Sequence, residues 1–78
     1  MKTERALSRN KAGAIAWQFI GKGYNAVIRE FRKTTPAEVG AIIEYSYIIK
    51  PSKTDKKRGV VYFYNYEGKR KPIQDLFK

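Results

Sequence analysis

The densest apolar run in the chain, Val60-Val61-Tyr62-Phe63-Tyr64-Asn65-Tyr66, is made of β-branched and aromatic residues and is bounded by Gly59 and by Glu67-Gly68. It is too short for a helix and predicts a strand. Glycine accepts the positive φ of a tight turn, so Glu67-Gly68 is expected to fold residues 69–73 back as a second strand, giving a hairpin near 59–73. Alternation sends Val60, Tyr62, Tyr64 and Tyr66 to one face and Val61, Phe63 and Asn65 to the other. Pro72 ends or edges the return strand, and Ile73, Leu76 and Phe77 are placed to dock on the core as one helical turn.

Upstream, the apolar spacing favours helices. Ser8 is a candidate N-cap for a helix over 9–20 that Gly21 stops, with Ala12, Ala16, Phe19 and Ile20 on one face and Ile15 and Trp17 at its flanks. The same residues permit a rival: Ile15, Trp17 and Phe19 alternate, Gly21-Lys22-Gly23 suits a hairpin loop, and residues 24–31 return as a strand. The N-cap, three alanines and the terminal glycine favour the helix, against Gly13 and the β-branched residues.

Asn25 caps a second helix over 25–33, with Val27 and Phe31 inward at i, i+4 and Arg29, Arg32 and Lys33 exposed. Thr35-Pro36-Ala37-Glu38 has the form of a capping box with proline at its first helical position, predicting a third helix over 36–48. Beyond it the period is ambiguous. Val39, Ile42, Ile43 and Ser46 keep helical spacing, whereas Ile43, Tyr45, Tyr47 and Ile49 alternate like a strand over 42–50; a helix of about three turns is adopted, and Pro51 ends either element.

The expected fold is therefore one small α+β domain spanning 1–78, with two or three N-terminal helices followed by a C-terminal antiparallel hairpin. That is the element order of a winged helix-turn-helix. The candidate recognition helix over 36–48 is nearly all apolar or acidic, which argues against base reading by it and leaves phosphate contacts from the hairpin.

Composition narrows the chemistry. The 78 residues are 42% hydrophobic and 14% aromatic, too apolar for a disordered basic tail. Cysteine and histidine are both absent, which excludes disulfides, Cys/His zinc sites and imidazole catalysis. The seven carboxylates form no cluster along the chain, and Gly21-Lys22-Gly23 lacks the rest of a phosphate-binding loop, so no metal, cofactor or catalytic residue is expected and the chain is read as a non-enzyme. No apolar run reaches the ~18–20 residues that span a bilayer, and residues 1–5 are not followed by a signal-peptide core, so a soluble cytoplasmic protein without a membrane partner is expected.

Seventeen basic against seven acidic side chains give a formal charge of +10. By segment the charge is +6 over 1–33, −1 over 34–50 and +5 over 51–78, so both ends are basic and the middle is not. A field of that sign attracts phosphate polymers. The candidate nucleic-acid contacts are Lys53, Lys56, Lys57 and Arg58 before the aromatic strand, Lys69, Arg70 and Lys71 after it, Tyr62 and Tyr64 for stacking, and Arg9, Lys11 and Lys22 in support. DNA is preferred to RNA, and duplex to single strands, on the strength of the element order.

Two other readings use the same residues. Exposed tyrosines and arginines also anchor protein interfaces, so an acidic protein surface, as on a larger host enzyme that a small phage-like protein inhibits or redirects, is the alternative partner. Arg58-Gly59-Val60-Val61-Tyr62 with the basic, aromatic C-terminal sheet is similar to small basic ribonuclease toxins, which would imply Arg, Lys and Tyr stabilising charge on an RNA phosphate. Plainer roles also fit: the basic loop as a solvated segment, Lys69-Arg70-Lys71 as edge-strand protection, and the tyrosines as packing over the helices.

Overall fold

The computed structural model describes residues 2–53 and 59–77. Their elements are β1 (Glu4–Ala6), α1 (Arg9–Gly21), β2 (Asn25–Ala37), β3 (Gly40–Ser52), β4 (Val61–Tyr64), β5 (Arg70–Lys71) and a closing 3-10 turn, Ile73–Phe77. The five strands form one mixed sheet in the order β1-β3-β2-β4-β5, antiparallel throughout except for the parallel β2–β4 pair. β1, α1 and β2 make a β-α-β unit with β3 inserted between its two strands.

α1 is the single α-helix among the described residues. The Ser8 hydroxyl accepts from the Lys11 N–H at 3.2 Å, and the chain leaves the helix where Lys22 N–H donates to the Phe19 carbonyl. Ala12, Gly13, Ala16 and Phe19 face the sheet. Three small residues in that row let the helix sit close over Ile28, Tyr47, Ile49 and Phe63, and Leu76 of the 3-10 turn closes the core. Burying those side chains supplies the main driving force, roughly 1.5–3 kcal/mol for each large apolar group.

The helices expected over 25–33 and 36–48 are instead the two long strands of one hairpin, and the winged helix-turn-helix order falls with them. In β2 the inward residues are Ala26, Ile28 and Glu30, a period of two whose third member is a carboxylate. In β3 the alternation of Tyr45, Tyr47 and Ile49 wins over the helical spacing, because Tyr47 and Ile49 are the residues buried beneath α1. The capping-box motif lies at the hairpin tip: the Thr35 hydroxyl donates to the Ile42 carbonyl at 3.2 Å across the strands, in place of capping a helix.

Nor does Pro51 end its element. Ala26 donates its N–H to the Val60 carbonyl on the β4 side, so its cross-strand partner Pro51 directs its nitrogen away from β2, past the point where β1 begins at Glu4. A missing N–H costs nothing there. The rival hairpin over 15–31 is also excluded, since 9–21 is helical and only the return segment from Asn25 is a strand.

Neighbours cover only part of the long hairpin. β1 pairs with Tyr47 to Ile49 alone, and β4 with Ala26 to Arg29 alone. Residues 31–46 therefore project as a two-stranded arm whose two edges pair with no other strand among the described residues, and the molecule reaches 48 Å along its longest axis against 22 and 19 Å across.

Candidate nucleic-acid interface

Because α1 and the 3-10 turn pack on one side, the other face of the sheet carries no covering element among the described residues. Pleating and register decide what it displays. Register places Arg5 of β1, Ile48 and Lys50 of β3, Val27, Arg29 and Phe31 of β2, Tyr62 and Tyr64 of β4, and Arg70 of β5 on this side. The acidic residues of the covered region alternate away from it: Glu30 points under the helix, and Glu67 sits in the β4–β5 turn. The open face over the body is thus cationic and aromatic, with Glu44 and its neighbour Lys33 further out on the arm.

Two stacked pairs define its centre. The Arg29 guanidinium carbon lies 4.8 Å from the Tyr64 ring centroid, and that of Arg70 lies 4.5 Å from the Tyr62 centroid. Both tyrosines are half-buried at their edges by neighbours. The pairs form because Arg29 is the parallel partner of Tyr64 and Arg70 its antiparallel partner, so rings and guanidinium groups stand on one pleat row. The β4–β5 turn holds the row in register: the Asn65 side-chain oxygen accepts from the N–H groups of Glu67 and Lys69, each at 3.0 Å, and Gly68 takes φ +81°.

The other candidate residues are scattered. Lys69 is exposed in the turn beside Arg70, but Lys71 alternates to the helix side and lines a shallow hollow of about 250 Å³ with Arg9 and Tyr66. Tyr66, grouped by alternation with Tyr62 and Tyr64, leaves the strand and instead meets Tyr45 edge-on at 6.3 Å with the Arg32 guanidinium over its ring. Lys53 lies over the Tyr24 ring at 4.8 Å, at the end of the sheet away from the arm. Lys11 and Lys22 are exposed at opposite ends of α1. Lys56, Lys57 and Arg58 lie outside the described residues.

Arg9 turns inward. Its guanidinium donates to the Tyr47 hydroxyl at 3.1 Å, to the Glu30 carboxylate at 3.4 Å and to the Asp75 carbonyl at 3.3 Å, while the Tyr47 hydroxyl donates to the same carboxylate at 2.9 Å. This network ties α1, β2, β3 and the 3-10 turn together and gives the buried carboxylate its partners. Hydrogen bonding to Tyr47 raises the Arg9 pKa, and burial raises that of Tyr47 above the ordinary phenol value of 10.0. Arg9 is thus a structural residue more than a surface cation.

Three cations of the open face, Arg5, Arg29 and Lys50, were missed by the sequence reading. The signal existed in Val27-Ile28-Arg29-Glu30-Phe31, where inward and outward residues alternate, but it becomes legible only once this segment is taken as a strand. Among the described residues no three carboxylates come together to hold a metal ion, and no helix is long and apolar enough to cross a membrane. No protein-family model, curated protein or solved structure matches the chain.

Proposed function

We propose that this chain is a non-enzymatic, cytoplasmic nucleic-acid-binding protein that takes single-stranded nucleic acid on its open sheet face. The observation that carries the reading is the row of Tyr62 and Tyr64 capped by Arg70 and Arg29. A guanidinium plane stacked on a ring extends the platform on which a base can lie, and the same arginines reach phosphate oxygens. Arg5 and Lys50 extend the positive surface toward β1.

A preference for duplex DNA requires the winged-helix order, which the fold lacks. The one projecting element that would enter a groove is the arm, and residues 34–49 contain two acidic and no basic side chains. A flat aromatic face is better matched to unpaired bases.

Fluorescence anisotropy with single-stranded DNA, single-stranded RNA and duplex DNA of equal length, each at two salt concentrations, tests this. Tighter binding of the single strands, weakening steeply with salt, is expected. Duplex preference overturns the stacking geometry; no binding to any of the three at low salt leaves an acidic protein surface as the partner of these cations.

A further inference from the structure

The arm poses a separate question from the open face. An isolated two-stranded ribbon is marginal in water, and an unpaired edge is a template for another strand. This arm has two such edges and also exposes Phe31, Val39, Ile42 and Ile43, with Val39 at the tip 99% exposed. Apolar side chains gathered on a free-edged ribbon mark an interaction surface.

Both a receptor and a ligand for that surface are present on the chain itself. Where β1 ends, a groove of about 500 Å³ continues along the free edge of β3, lined by Arg5, Leu7, Lys33, Ile43, Glu44 and Tyr45. It mixes apolar and polar groups, its two cations outnumbering the Glu44 carboxylate, and Leu7 is 74% exposed in it. The tip of the arm presents the complement, Glu38 beside Val39, with no basic residue between 34 and 49. The tip and the root of the groove on one chain are separated by the seven residues from Gly40 to Ser46, roughly 20 Å of strand, so they cannot meet within it.

We propose that two copies of this chain pair antiparallel through the free β3 edges of their arms, each seating its Glu38-Val39 tip in the groove beside Arg5 and Leu7 of the other. The contact is two-fold, with Ile43 near the axis, and joins the ribbons into a four-stranded sheet. Tip-to-root pairing sets the two strongly basic bodies at opposite ends of the joined arms, which limits their repulsion and leaves the Tyr62, Tyr64 and Arg70 side of both open faces accessible.

The test is the molar mass of the protein, freed of nucleic acid, by light scattering and sedimentation over a wide concentration range. Wild type is expected to approach twice the 9.0 kDa chain mass. Ile43→Lys and Glu38→Lys should each weaken the dimer at least tenfold while circular dichroism stays unchanged, and Arg5→Glu added to Glu38→Lys should recover most of that loss by reversing the pair. Glu38 is in an exposed turn, so its variant reports even where Ile43→Lys perturbs folding. A wild-type monomer at every concentration, a dimer indifferent to both single variants, or a charge-reversed double variant no tighter than Glu38→Lys overturns the proposal.

Discussion

Arg29 and Tyr64 are direct partners across the parallel β2–β4 pair, and the guanidinium lies over the ring at 4.8 Å. If this stack is part of a base platform, Tyr64→Ala should weaken single-strand binding by about 1–3 kcal/mol, while Tyr64→Phe, which keeps the π-face, should stay within about threefold of wild type. Arg29→Ala should also lower the salt dependence by about one phosphate contact. Anisotropy titrations across a salt series measure both. Equal losses for the alanine and phenylalanine variants would assign the role to the hydroxyl and remove stacking from the account.

The Glu30 side chain is 3% exposed and has Arg9 and Tyr47 as partners. Arg9→Ala leaves the carboxylate with Tyr47, at an expected cost of about 1–3 kcal/mol, toward the lower end because the Arg9 side chain is 37% exposed and solvent screens it. Adding Glu30→Gln removes the stranded charge, so the double variant should be more stable than Arg9→Ala alone. Urea denaturation of the four proteins of the cycle checks the order. Additive losses would mean that the two residues are energetically independent.

Burial holds the Tyr47 phenol protonated above its ordinary value of 10.0. A pKa raised in the folded state stabilises fully below the unfolded value and is lost as pH climbs through the folded one, because the unfolded chain ionises first. The stability difference between wild type and Tyr47→Phe should therefore be constant through neutral pH and shrink above about pH 10. Denaturation midpoints of both proteins from neutral to alkaline pH measure it; a difference that grows with pH would contradict the buried neutral phenol.

What the sequence disclosed depended on how local its signals were. Ser8, the alanines and Gly21 mark α1 because a helix cap and a helix stop are satisfied within one turn. The turn at Gly68 and the division of Tyr62 and Tyr64 from Phe63 are likewise local. β2 was hidden by Glu30: a carboxylate at an inward position breaks the apolar alternation, and its compensation comes from Arg9 and Tyr47, 21 and 17 residues away. Val27 and Phe31, four apart, fit a period of two as well as one of 3.6. β3 was hidden because its outward residues Ile42 and Ile48 are as apolar as its inward ones. Of the candidate site, the aromatic half was legible, while the cations that complete it, Arg29 and Lys50, became visible only with the register of the long hairpin.

Gly13 is closely approached by the closing turn. A Cβ at this position would stand 2.6 Å from two ring carbons of Phe77. Phe77 is half-exposed near the chain end, so its ring can swing aside. Gly13→Ala gains about 1 kcal/mol of helix propensity, which should offset most of the displaced contact and leave stability within about 1 kcal/mol of wild type. A change in the Phe77 ring resonances should accompany it. A loss above about 3 kcal/mol would show that the ring is locked and that the turn is a firm part of the core.

The most direct test of the central claim is an amide and side-chain NMR titration with a short single-stranded oligonucleotide. Binding to the open face predicts shifts concentrated at Arg5, Val27, Arg29, Ile48, Lys50, Tyr62, Tyr64 and Arg70, with the outer side of α1 around the exposed Trp17 unmoved. Shifts centred on α1, or confined to the arm, would contradict it.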